Sequence, residues 1–135
     1  MKHLDVVAAI IEIDNKYLCM QRGVTKYPYT SFKFEFPGGK IEQGEMPEEA
    51  LRRELKEELA YPITVEKSLV TVDYRYPDFS ITMQAFLCTA PSTNFIMKEH
   101  YSYRWLAIDE LTQLDWAAAD VLVVERLISL STQDN

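Results

Sequence analysis

With 135 residues the chain has room for one domain and its core. Its 14 basic and 21 acidic side chains give a formal net charge of −7, which opposes binding to a nucleic-acid duplex but leaves small phosphorylated ligands open where cations mediate. Apolar residues at 47% and charged residues at 26% exclude a disordered or fibrous chain, and no apolar run approaches the ~20 residues of a membrane span.

Leu4 to Ile13 is rich in Val and Ile but interrupted by Asp5 and Glu12, which predicts a buried strand and not a signal peptide. Asp14-Asn15-Lys16 predicts a turn, and Tyr17 to Arg22 the returning strand of a hairpin. Gly23 to Ser31 is polar and predicts a loop. Phe32 to Phe36 alternates aromatic and charged residues, a short strand pattern. Pro37-Gly38-Gly39 predicts a tight turn after it. Pro47 to Leu59 predicts a helix, with Pro47 and two acids in its first turn and Leu51, Leu55 and Leu59 as its core stripe. Pro62 stops it.

Ile63 to Tyr76 and Ser80 to Thr89 predict a long hairpin turned at Pro77-Asp78-Phe79. A loop from Ala90 to Lys98, a strand from Tyr101 to Ala107 and a short helical turn at Asp109 to Leu111 follow. Ala117 to Leu130 predicts a closing helix with Val121, Val124, Leu127 and Ile128 on its apolar face. Ser131 to Asn135 reads as a frayed tail. Cys19 and Cys88 lie inside strands without CxxC spacing, as expected of buried free thiols in a reducing compartment. The fold class is α/β: a mixed sheet sandwiched between helices.

The concentrated chemistry lies on the first helix. Glu54, Glu57 and Glu58 share a face at i, i+3 and i+4, where like charges repel unless solvated or neutralised. Small Ala50, one turn earlier, leaves room for a loop or ligand. Arg53 can pair with Glu45 and hold a carboxylate in place. Hard oxygen donors without Cys or His suit Mg²⁺, with Mn²⁺ as a substitute. Carbonyls of the Gly38-Gly39 turn could add to them. Such a site suits metal-assisted displacement at phosphorus, and the competing reading is a solvated acidic helix face.

Counting from Gly39, five residues precede Glu45, and seven more precede Arg53-Glu54-Leu55-Lys56-Glu57-Glu58-Leu59-Ala60-Tyr61. This resembles the Nudix box, Gly-x5-Glu-x7-Arg-Glu-U-x-Glu-Glu-x-Gly-U with U apolar. The one departure is Ala60, where the family carries Gly at a left-handed helix end. Phe34 to Lys40, the turn at Tyr76-Pro77-Asp78 and the segment Trp116 to Asp120 extend the likeness to the MutT-like branch.

The resemblance implies the Nudix fold over residues 1–135 and hydrolysis of a nucleoside diphosphate linked to another group. It implies that Glu57 and Glu58 bind divalent metal, with help from Glu54 and the Gly38 carbonyl. Glu54 is the candidate general base, oriented by Arg53 and Glu45. Glu99 matches a loop glutamate that reaches the metal site, as ligand or base; an ordinary loop acid is the alternative. Arg22 matches a phosphate contact, or is a solvated strand-end arginine. Lys40 is a further substrate candidate.

For the base, Phe36, Tyr76, Phe79 and Trp116 are aromatic candidates, although such a residue is more often part of the core. Asp120 matches an Asn or Asp that bonds the base edge, or is a helix N-cap. Phe79 stands where MutT itself has a basic residue, which weakens a reading for 8-oxoguanine, and the ending from Trp116 to Asp120 is similar to that of members acting on cytidine and damaged pyrimidine nucleotides. His3 and His100 look structural or incidental.

The expected activity is Mg²⁺-dependent conversion of a nucleoside triphosphate to monophosphate and pyrophosphate, of the kind used to sanitise nucleotide pools in DNA repair. The alternatives are 8-oxo-dGTP hydrolysis and a non-catalytic nucleotide sensor on the same fold. A cytoplasmic monomer or homodimer, without membrane or duplex partners, completes the expectation.

Overall fold

The computed structural model of the chain describes residues 1–133. Strands β1 (Lys2–Ile13) and β2 (Lys16–Gln21) form the first hairpin. Asp14 and Asn15 turn it with φ of 52° and 64°, left-handed values that short polar side chains tolerate and a two-residue hairpin requires. Two very short strands follow, β3 (Phe34–Glu35) and β4 (Gly38–Lys40). After helix α1 (Pro47–Leu59) come β5 (Thr64–Arg75), β6 (Phe79–Thr89) and β7 (Ser102–Leu106). A 3-10 turn (Ile108–Gln113) leads to helix α2 (Ala118–Gln133). None of the described helices is long and apolar enough to cross a membrane.

β1 is the centre of the sheet. It runs parallel to β6 and antiparallel to β4, while β5 extends the β6 side and β3 and β7 flank β2. Alternate residues of β1 point to opposite layers. Val7, Ala9 and Ile11 pack with Ala50, Leu51, Leu55 and Leu59 of α1. Ala8 and Ile10 join the layer that holds Val123, Val124 and Leu127 of α2. Both faces being covered explains why the run Val6 to Ile11 of β1 is continuously apolar and does not alternate with polar residues. The expected α/β/α arrangement, a mixed sheet between helices, is present.

The leucine stripe of α1 is buried as expected, and the Glu49 carboxylate accepts the Met46 backbone N–H at 3.2 Å at its start. At its end Ala60 adopts φ 48° and ψ 42°, and the N–H groups of Ala60 and Tyr61 return to Lys56 and Leu55. Holding alanine there costs about 1 kcal/mol.

Four expectations need correction. Gly38-Gly39 is not a tight turn but most of β4, in register with Ala8 and Val7 of β1. Glycine is required by proximity: a side chain on Gly38 would strike the Val7 carbonyl, and one on Gly39 the Glu54 carboxyl. The strand expected over Phe32 to Phe36 shrinks to Phe34–Glu35, because Phe32 takes φ 60° inside the preceding loop. Val121 lies on the exposed side of α2, and the buried stripe is Ala119, Asp120, Val123, Val124 and Leu127. The helix also continues through Gln133, past the expected start of the frayed tail, whose residues 134–135 lie outside the described chain.

Candidate functional site

A cleft of about 450 Å³ opens where the ends of β1, β3, β4 and β6 meet loops 23–25 and 99–100. One wall is apolar, with Leu4, Val6, Ile81, Met83, Tyr76 and Phe79. The opposite side is polar: Arg22, Glu35, Glu58, Glu99, His100 and Asp120, with the backbone of Gly38, Gly39 and Lys40. Large apolar area beside a few convergent polar groups is the usual form of a small-molecule site.

The box residues are organised by Arg53. Its Nε and Nη2 donate to the two Glu45 oxygens at 2.6 and 3.0 Å, a bidentate pair. Nη1 donates to Glu54 at 3.0 Å and Glu57 at 3.2 Å, and Nη2 also reaches the Lys40 carbonyl at 3.0 Å. These bonds, that to Glu45 first, raise the Arg53 pKa, and the same bond holds the Glu45 carboxyl below its usual range. Glu54 is thus clamped by Arg53 on one side and pressed against Gly39 on the other. The expected pairing of Arg53 with Glu45 is observed. Ala50, expected to leave room for a ligand, is instead fully buried in the α1 core layer.

Glu58 differs from its neighbours. Burial first, then the charges of Glu54, Glu35 and Glu99, push its carboxyl up to about 8. Glu54 lies one helical turn before it on α1. Concentrated carboxylate charge with oxygen donors only is a set that suits a divalent cation. Among the described residues no three His, Cys, Asp or Glu side chains converge as a finished metal cage, and Glu57 is turned to Arg53 at the surface.

On α2, Asp120 is buried, and its Oδ1 accepts the Phe36 N–H at 3.0 Å. Burial and the Glu35 charge push its carboxyl up to about 7. Tyr76 is tied down as well, its hydroxyl oxygen accepting the Ala119 N–H at 3.0 Å. Phe79 stacks on Tyr76 with ring centroids 4.9 Å apart. Trp116 does not reach the cleft. It stacks behind Phe36 at 4.6 Å and donates its indole N–H to the Leu111 carbonyl at 2.7 Å.

Of the residues singled out by sequence, Arg22, Phe36, Gly38, Lys40, Glu58, Tyr76, Phe79, Glu99 and Asp120 line the cleft. Glu45, Arg53, Glu54, Glu57 and Trp116 do not. Two ionisable lining residues, Glu35 and His100, are not among the sequence candidates, where His100 looks structural or incidental. Glu35 binds the Arg22 guanidinium and accepts from His100 Nε2 at 2.9 Å. Burial would raise its carboxyl, but His100 and Arg22 outweigh that and hold it below the usual range. An acid between two aromatics in Phe34-Glu35-Phe36 was the available signal for it. His100 offered none.

A family model of the NUDIX domain matches residues 1–127. The 8-oxo-dGTP diphosphatase of Escherichia coli is 32% identical over 127 residues, covering 94% of this chain and 98% of that protein. The CTP pyrophosphohydrolase of the same organism is 34% identical over 145 residues, covering 96% and 95%. The solution structure of the MutT protein from methicillin-resistant Staphylococcus aureus superimposes with a TM-score of 0.74 at 36% identity, covering 96% of this chain and 98% of that one. The chain belongs to the NUDIX family and is a Nudix hydrolase of its MutT-like branch.

Proposed function

We propose that this hydrolase converts a nucleoside triphosphate and water to the monophosphate and pyrophosphate, and that (d)CTP or a damaged pyrimidine nucleotide is the substrate. The observation that carries the reading is the crowded Glu54–Glu58 carboxylate pair beside a cleft with an apolar wall. A divalent cation bound there supplies charge neutralisation on the phosphates and a more acidic attacking water. The residues to hold it are Glu58, Glu54, Glu57 and Glu99 with the Gly38 carbonyl.

Glu54 takes the proton of the water as it attacks the β-phosphorus, and the bond from that phosphorus to the α–β bridging oxygen breaks. Arg53 and Glu45 fix the Glu54 carboxylate so that it does not have to reorganise during the step. Arg22 and Lys40 bind phosphate oxygens. Phe36, backed by Trp116, and Phe79 with Tyr76 enclose the base. Asp120, with a carboxyl near neutrality, offers a proton and an acceptor oxygen together. Cytosine presents the matching edge, a ring-nitrogen acceptor beside the N4 amine donor. The chain then acts as one domain, a cytoplasmic monomer or homodimer.

The similarity to an 8-oxo-dGTP diphosphatase supports a second reading, with that nucleotide as substrate. Pyrophosphate release from each common and oxidised nucleoside triphosphate with Mg²⁺ separates them. The highest kcat/KM is expected for a cytidine or oxidised pyrimidine nucleotide. A maximum at 8-oxo-dGTP selects the second reading, and release from none overturns both and leaves a nucleotide sensor.

A further inference from the structure

Glu99 is exposed at the end of the loop between β6 and β7, but its neighbour His100 is not: that side chain is 6% exposed. His100 Nε2 lies 2.9 Å from Glu35 Oε2. A carboxylate can only accept, so Nε2 carries the hydrogen. Nδ1 is then left buried without a partner. An unpaired buried polar atom is unfavourable, and an apolar ring would fill the same space without it. The hydrogen bond this imidazole makes is the one from its Nε2–H to Glu35.

That bond ends on a hub. Glu35 also binds the Arg22 guanidinium at the end of β2. The next backbone N–H, from Phe36, donates to Asp120 on α2. On the other side of His100, the Tyr101 N–H donates to the Gln21 carbonyl at 2.8 Å. The Glu35–Phe36 dipeptide thus ties the Glu99 loop, the strand-end arginine and the base end of the cleft into one frame.

We propose that His100 is a positioning residue, holding Glu99 and Arg22 in a fixed mutual geometry through Glu35. The inference rests on the reading of the cleft as a cation-assisted hydrolytic site. Loss of the Nε2–H lets the Glu99 loop slide against β3, and misplacement of about 1 Å in such a site costs on the order of 100-fold in rate.

The test compares His100→Gln, whose amide nitrogen reaches about as far as Nε2, with His100→Asn, whose amide reaches only as far as Nδ1. In the Gln variant kcat stays within about threefold of wild type, while in the Asn variant it falls at least about tenfold with KM little changed. Electron paramagnetic resonance titration of Mn²⁺ without nucleotide gives a dissociation constant at least about threefold weaker in the Asn variant only. Unfolding midpoints of the two variants agree. An Asn variant with wild-type kcat and Mn²⁺ affinity overturns the inference, as does a Gln variant no better than Asn. If the wild type hydrolyses no nucleotide, the reading of the site has failed, and the Mn²⁺ comparison alone decides the role of His100.

Discussion

Single carboxyls in this cleft are tuned by what surrounds them, and two make separable predictions. Burial first, then repulsion from Glu54, Glu35 and Glu99, disfavours the ionised Glu58 carboxyl. Glu58→Gln removes that repulsion. At pH 8 the metal-free variant should unfold at a higher temperature than wild type, yet show no Mg²⁺-dependent rise in Tm and a turnover lowered about 100- to 10,000-fold. Differential scanning fluorimetry with and without Mg²⁺ checks this. Asp120 carries its proton up to about 7 in the fold, in a surrounding of Glu35, Arg22 and Tyr76. The unfolded chain releases the same proton near the ordinary carboxylate value. Between those values the folded state binds more protons, so stability from this group falls as pH rises through the window. In Asp120→Asn, which keeps a donor and an acceptor, the decline should flatten. The KM for CTP should rise above pH 7 in wild type and stay level in the variant. Unfolding curves and KM across pH 5 to 9 measure both.

Among the elements, β4 and the ends of α1 carry the site, and glycine does different work at adjacent positions. A methyl on Gly38 meets the β1 backbone, which cannot move aside. Gly38→Ala should therefore cost about 1–3 kcal/mol in chemical unfolding. A methyl on Gly39 meets the Glu54 side chain, which can turn away. Gly39→Ala should fold nearly as well as wild type but lose about 10- to 100-fold in kcat. At the other end of α1, Ala60→Gly should relieve the left-handed strain and raise stability by about 1 kcal/mol without changing turnover. These contrasts also mark what sequence could convey. The periodicity of Leu51, Leu55 and Leu59 and the Ala60 departure were legible because helix patterns are local. The same glycines announced a break in structure. That they pair with β1 depends on a strand about 30 residues earlier, which no local pattern carries. Likewise the α2 stripe was misread at Val121 because a buried Asp120 takes an apolar place and shifts the apparent phase.

For the whole molecule, the fold works as a frame that brings separate pieces of chain to one cleft. β1 supplies the floor between two helical layers, α1 the carboxylates, and β3 the hub that reaches Arg22, His100 and Asp120. The Nudix family was legible in the sequence because the residues of its box lie on and just before one helix at fixed spacing. Glu35 and His100, which are 65 residues apart, became visible only when the fold joined them. Trp116 shows the opposite case, an aromatic near the right place in sequence that the fold keeps behind the wall. The central claim is that the Glu54–Glu58 pair drives hydrolysis to nucleoside monophosphate and pyrophosphate. Its most direct test quantifies both products with Mg²⁺ for wild type, Glu54→Gln and Glu58→Gln. Equimolar monophosphate and pyrophosphate are expected from wild type, with turnover reduced about 100- to 10,000-fold in each folded variant. Wild-type turnover in both variants, or release of orthophosphate in place of pyrophosphate, would contradict it.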